Sequence, residues 1–177
     1  MLAAGASSRF GSPKQRLLLD PVLERVRQSR IDGVVVVLGA HSVETSARAV
    51  YCPEWNRGPG ASLRCGLAAL PAEAKAAVVV LGDGPDLAPE TIDRVIECWR
   101  DDAGPVVAAT YAGTRLHPVL IARESWPHVP DEGARGLDAV LVPCDDLGPP
   151  GDVDSADDVP DRLKPKRKSK PWSSPDP

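Results

Sequence analysis

An α/β domain with a mostly parallel central sheet covered on both faces is the fold class this sequence predicts. Short aliphatic runs recur along the chain, and amphipathic stretches with helix-start signals lie between them. The composition points the same way. Of the 177 residues, 42% are hydrophobic but only 4% are aromatic, so Val, Leu, Ile and Ala must fill the interior. Strands buried on both faces of a parallel sheet read as continuous aliphatic runs of that kind. The length suffices for one such domain and falls short of two.

From the N-terminus, Met1 to Ala4 is a brief apolar start, below the about five or six residues of a usual strand. It reads either as the end of a strand that begins upstream or as a trimmed one. Asp20 as cap and Pro21 at the first helical position predict a helix over 21–29. Val34 to Leu38, closed by Gly39, predicts a buried strand. Ser62 to Leu70 predicts a helix with Leu63, Leu67 and Leu70 on one face. Ala76 to Leu81 predicts the next strand, ending at Gly82. Pro89 opens a helix to Trp99, with Ile92, Val95, Ile96 and Trp99 on one face. Pro105 to Thr110, a short Val119 to Ile121 and Ala139 to Pro143 predict the remaining strands. Ligands of such sheets bind beyond the carboxyl ends of the strands, so residues just after the aliphatic runs are the candidates for chemistry.

No apolar stretch approaches the ~20 residues of a membrane span. The start lacks a basic segment followed by an apolar run. A cytoplasmic protein without membrane contact is expected. Cys52, Cys65, Cys98 and Cys144 form no C-x-x-C pair, so reduced thiols are expected and a zinc site is not. The net charge of −4 is uneven: residues 161–177 carry +4 and the remainder −8. That basic, Pro-rich tail is expected to be disordered, leaving a domain over 1–160. A solvated terminus is the simpler reading of such a charge run than a nucleic-acid contact.

Residues 2–14 hold the densest functional signal. Ala3, Ala4, Gly5, Ala6, Ser7 and Ser8 leave the backbone bare, so that several N–H groups can face phosphate oxygens. Arg9 and Lys14 add charge beside them, Arg as a two-pronged donor and Lys as a mobile point charge. Two familiar phosphate loops do not fit. Gly5 and Gly11 are too far apart for a Walker A loop, with Ser12 and Pro13 intervening before Lys14. A G-x-G-x-x-G fingerprint starting at Gly58 and Gly60 meets Leu63 where its third Gly should be.

A carboxylate at a strand end is the second signal. Asp83 lies between Gly82 and Gly84 directly after the 76–81 strand, with room to project into the ligand crevice. A triphosphate reaction needs a divalent cation, and magnesium favours one or two carboxylates plus substrate oxygens and water. Asp86 reads as a local backbone cap. Asp152, Asp154, Asp157 and Asp158 form a second acidic group. Asp152 is the chosen second metal residue, with Asp154 its close rival.

The order of these residues resembles a known family. Leu2-Ala3-Ala4-Gly5-x-Ser7-x-Arg9-x-Gly11-x-x-Lys14 is similar to the nucleotide loop of the nucleotidyltransferases of molybdenum cofactor synthesis, the MobA-like family. Ala4 makes it closer to the cytidylyl-transferring members, since the guanylyl-transferring ones more often carry Gly there. Gly82-Asp83-Gly84-Pro85 resembles the family's magnesium segment, and Asp152-Val153-Asp154-Ser155 its second acidic motif. Trp55 to Leu67 resembles the segment beside the base, with Ser62 near a helix start. Arg64 there reads equally as a phosphate contact or an exposed helix residue. His117-Pro118-Val119 and Gly133-Ala134-Arg135 resemble segments bordering the acceptor, though Leu116 replaces a family Gly.

The resemblance implies a three-layer Rossmann-like nucleotidyltransferase (GT-A-like) domain. It would bind CTP through Leu2, Ala3, Ala4, Gly5, Ser7, Arg9, Lys14, Ser62 and Arg64. Mg2+ would lie at Asp83 and Asp152. The partner substrate would be a phosphorylated acceptor such as molybdopterin, on the side of His117 and Arg135. Arg9, Lys14 and Asp83 would carry catalysis. A nucleotide-binding relative without turnover, and an oxidoreductase of nicotine-blue type on the same scaffold, are the alternative readings.

Overall fold

A computed structural model describes residues 1–164 of the chain. Seven strands lie among the described residues. They are β1 (Leu2–Ala3), β2 (Val35–Leu38), β3 (Arg48–Tyr51), β4 (Ala76–Val79), β5 (Val106–Tyr111), β6 (Thr114–Ala122) and β7 (Val140–Pro143). Three α-helices accompany them: α1 (Gln15–Arg27), α2 (Pro59–Ala68) and α3 (Pro89–Arg100). None of the described helices is long and apolar enough to cross a membrane.

β1, β2 and β3 pair in parallel. The other block runs β4-β6-β5-β7. Leu2 joins the two blocks. Its N–H donates to the Val80 carbonyl at 2.8 Å, and its carbonyl accepts from the Gly82 N–H at 2.8 Å. The order across the sheet is therefore β3-β2-β1-β4-β6-β5-β7. Of the seven strands only β6 is antiparallel to its neighbours.

Alternation along β5 divides the core. Val107 and Ala109 join α1 and α3 on one face, with Leu19, Val22, Leu23, Ile92 and Val95. Val106 and Ala108 meet α2 on the other, with Leu63, Leu67 and Ile121. This is the period-2 rule of a strand covered on both faces. Small Ala108 and Ala109, fully buried, let the helices sit close in a core with few aromatic rings.

Three expectations need correction. The helix expected to begin at Pro21 begins at Gln15, with Pro21 in its interior. Proline removes one helical hydrogen bond and crowds the preceding turn, costing about 3 kcal/mol. Leu18, Leu19, Val22, Leu23 and Val26 are all at most 4% exposed, and burying five aliphatic side chains at about 1.5–3 kcal/mol each outweighs that cost. The short strand expected at 119–121 is the nine-residue β6, and it runs antiparallel. Its direction follows from a two-residue hairpin. Tyr111 pairs with Thr114, and Ala112 and Gly113 between them take φ of 48° and 75°, the left-handed pair that two-residue hairpins need. Finally, β3 was not expected. It is an edge strand whose Arg48, Ala49 and Tyr51 are exposed, so no aliphatic run marks it.

The start of the expected tail is part of the fold. Asp161–Leu163 form a 3-10 turn. Leu163 packs against Leu18, Val153 and Val159. Arg162 pairs with Asp86 at 2.5 Å, so Asp86 holds this turn as well as its own loop. The remainder of the basic stretch, 165–177, lies outside the described residues.

Candidate active site

One cavity of about 450 Å³ opens at the carboxyl ends of β1 and β4, lined by 18 residues. Of the predicted residues it gathers Leu2, Ala3, Ala4, Gly5, Ser7, Arg9, Lys14, Ser62 and Asp83. The loop after β1 wraps one wall. Ser7 takes φ of 54°, a left-handed conformation that non-glycine residues seldom adopt. Its hydroxyl accepts from the Lys14 N–H at 3.3 Å and donates to Gln15 Oε1 at 3.0 Å.

Gln15 was not foreseen. It is 4% exposed, and its Nε2 donates to the carbonyls of Ala3 at 3.2 Å and Gly5 at 2.7 Å. One carboxamide thus holds the carbonyls of Ala3 and Gly5 inward and grips the hydroxyl of Ser7. Carbonyls held inward present less negative charge to an incoming anion. The only sequence signal was a polar residue on the buried face of a helix, and the misplaced start of α1 concealed it.

Lys14 and Asp83 meet. Lys14 Nζ lies 2.8 Å from Asp83 Oδ2, both side chains partly buried at 14% and 25% exposure. The same ammonium donates to the Val153 carbonyl at 2.7 Å. The 150–153 segment crosses the end of β4: Asp86 N–H donates to Pro150 O at 2.9 Å, and Val153 N–H to Asp83 O at 3.2 Å. That brings the second acidic group to the first.

Asp154, the rival choice, lines the cavity and holds Arg9 through both oxygens at 2.8 Å. Asp152 is not among the lining residues. Burial, and then the charges of Asp83 and Asp154, push its carboxyl above the ordinary aspartate range. A carboxyl raised by two neighbouring carboxylates in this way is a place where a cation is favoured. The donor set therefore suits a hard divalent ion. Among the described residues no three His, Cys, Asp or Glu gather as an all-protein cage.

The expected acceptor residues flank this group and do not line the cavity. His117, partly exposed on β6, is driven down to about 4 by burial, with Arg135 and Arg115 adding and Asp83 opposing. Its imidazole is therefore neutral near pH 7. Arg135 is exposed on the 3-10 turn Gly133–Gly136. Arg115, unforeseen, fixes that turn by donating to the carbonyls of Leu137 and Ala134, each at 2.7 Å.

Arg64 requires correction as a nucleotide contact. Its guanidinium donates to the Val129 carbonyl and to Asp131 Oδ1, each at 2.8 Å, and it lines a separate surface depression with Arg123 and Trp126. It tethers α2 to the 129–131 segment. The contact is close because Gly60 has no side chain: a Cβ there would lie 2.0 Å from the Pro130 carbonyl oxygen. α2 does supply the cavity through Pro59 and the buried Ser62, with Gly58 just before it and Trp55 and Asn56 beside it.

The sequence matches the family model described as MobA-like NTP transferase domain over residues 1–146. No curated protein matches it. Among solved structures, Rv0371c of Mycobacterium tuberculosis H37Rv is 29% identical, with a TM-score of 0.68 over 89% of this chain and 92% of its own. A second structure of that protein, in complex with manganese, is 27% identical with a TM-score of 0.67, over the same shares of the two chains. Molybdopterin-guanine dinucleotide biosynthesis protein A of Archaeoglobus fulgidus is similar in fold, at 14% identity and a TM-score of 0.63 over 89% of this chain and 92% of its own. These likenesses place the fold among the Rossmann-like nucleotidyltransferases.

Proposed function

The chain belongs to the MobA-like NTP transferase domain family, a family of nucleotidyltransferases, and from that premise we propose that it moves a CMP group from CTP to a phosphorylated acceptor such as molybdopterin. One observation carries the assignment of residues: Lys14 and Asp83, 69 positions apart, meet at 2.8 Å in the wall of a single cavity. A cation of the phosphate loop and a strand-end carboxylate serve one polyphosphate only if they converge.

In this reading the backbone N–H groups of the loop, with Arg9 and Lys14, hold the triphosphate. An oxygen of the acceptor phosphate attacks the α-phosphorus. The new P–O bond forms as the bond from the α-phosphorus to the bridging oxygen of the β-phosphate breaks, and pyrophosphate leaves with that bonding pair. The acceptor phosphate is already ionised, so no side-chain nucleophile is needed. The work left to the protein is positioning and charge stabilisation. Asp83 and Asp152 would hold magnesium, which when bound offsets charge on the phosphates. The manganese complex of Rv0371c is consistent with a divalent ion in a protein of this fold.

His117 and Arg135 would border the acceptor. A neutral imidazole there adds no competing charge, and the guanidinium suits an acceptor phosphate. Ala4 supports CTP over GTP through the motif resemblance. The test is pyrophosphate release by the purified chain with CTP, magnesium and molybdopterin. Lys14→Ala and Asp83→Asn should each abolish it, and turnover retained in either folded variant refutes that residue's role. Release with GTP in place of CTP overturns the choice of base and leaves the reaction class intact.

A further inference from the structure

We propose that Asp154 makes this site discriminate metal-complexed nucleotide from free nucleotide, by occupying Arg9 until a cation compensates the carboxylate that is released. The inference rests on the nucleotide reading above and adds to it the role of one side chain. Arg9 Nη2 donates to Asp154 Oδ1 at 2.8 Å, and Nη1 lies 2.8 Å from Oδ2. This two-pronged geometry is the one the guanidinium would otherwise offer to phosphate. The same carboxylate lies 4.0 Å from Lys14 Nζ, whose own partner is Asp83 at 2.8 Å. Both cations of the phosphate loop are thus matched by carboxylates from the opposite wall.

Asp154 is held on both sides. Val153 before it is 2% exposed and is tied by its N–H to the Asp83 carbonyl at 3.2 Å. Ser155 after it donates its N–H and hydroxyl to Asp158 at 2.7 and 2.8 Å. The carboxylate is therefore presented to Arg9 by an anchored segment that links 145 positions of sequence across the cavity mouth.

Free triphosphate must take Arg9 from Asp154 and then face the carboxylate it has displaced, with only Lys14 Nζ, 4.0 Å away and itself paired with Asp83, to offset it. Metal-complexed triphosphate exchanges charges in pairs: phosphates take the guanidinium and ammonium while the ion offsets the carboxylates they leave. Metal and nucleotide then favour each other's binding by the same factor, as linkage requires. The pair is exposed, at 73% for Arg9 and 39% for Asp154, and exposed ion pairs are weak, so the expected effect is about 2- to 5-fold.

The test is calorimetric binding of CTP to the full chain, in EDTA and in magnesium. The wild type should bind weakly in EDTA and more tightly with magnesium. Asp154→Asn should tighten the EDTA affinity by about 2- to 5-fold and shrink the gain from magnesium by the same factor. Asp154→Ser should behave alike, and circular dichroism establishes that each variant is folded. Unchanged or weaker binding in EDTA by a folded variant overturns the proposal. Loss confined to magnesium also overturns it, because Asp154 then supports the ion rather than restraining Arg9. Wild type that binds no CTP even with magnesium fails the nucleotide reading itself, and the role of Asp154 falls with it.

Discussion

Gln15→Leu isolates the one buried polar side chain that shapes the phosphate loop. Leucine keeps a similar volume and helical propensity while deleting the carboxamide. Three hydrogen bonds vanish: two donated by Nε2 to Ala3 and Gly5, and one accepted by Oε1 from Ser7. Each is worth about 1 kcal/mol net, and a buried acceptor left unpaired costs more than one that reaches water. Ala3 is 8% exposed and cannot easily recruit solvent, whereas Gly5 is exposed. The sum is about 2–3 kcal/mol, which lowers the midpoint of a domain of this size by about 5–10 °C. Scanning calorimetry of the ligand-free chain reads that shift. A second readout separates loop shape from stability. Carbonyls freed to turn outward repel an incoming anion, so CTP affinity should fall as well, by about tenfold if one phosphate contact worth about 1.4 kcal/mol is lost. A folded Gln15→Leu chain melting within about 1 °C of wild type, with unchanged CTP affinity, refutes the clamp.

Two further outcomes follow from the titrating groups. Burial and the neighbouring Asp83 and Asp154 hold the Asp152 carboxyl above its unfolded value, so its charge opposes folding at neutral pH; Asp152→Asn should raise the ligand-free melting temperature while diminishing the rise on adding magnesium and CTP, both read by thermal melts at pH 7. His117 takes up a proton at about 4 when folded against 6.5 for an ordinary imidazole, so the unfolded chain binds more protons between those values and stability falls as pH drops through that window. His117→Gln should make the decline shallower, which urea midpoints at pH 6.5 and 4.5 measure, and an identical slope refutes the buried neutral imidazole.

How much of this was legible before the structure depended on range. β2, β4 and β5 announce themselves as aliphatic runs, because inner strands need little beyond local chemistry; β7 reads the same way although Val140 and Leu141 are exposed. α3 does so through Pro89 and the Ile92, Val95, Ile96 face. The direction of β6 is a property of the Ala112–Gly113 turn, whose left-handed conformations an Ala-Gly pair does not advertise as Asn-Gly does. The start of α1 was misjudged because Pro21 is a strong local signal, whereas burial of Leu18 against Val153 and Val159 and of Leu19 against the sheet is not local. The same division runs through the site. Arg9, Lys14 and Asp83 were visible because each sits in a short motif beside a strand end. Their partners were not, since Asp154 reaches Arg9 from 145 positions away and Arg64 looked free until the 129–131 segment was folded against it. A one-dimensional motif shows which groups a site owns. Their charge state before substrate arrives depends on which opposite charges the fold delivers to them. Here the fold delivers a carboxylate to each of Arg9 and Lys14, so in the proposed function binding a polyphosphate at this cavity is an exchange of anions.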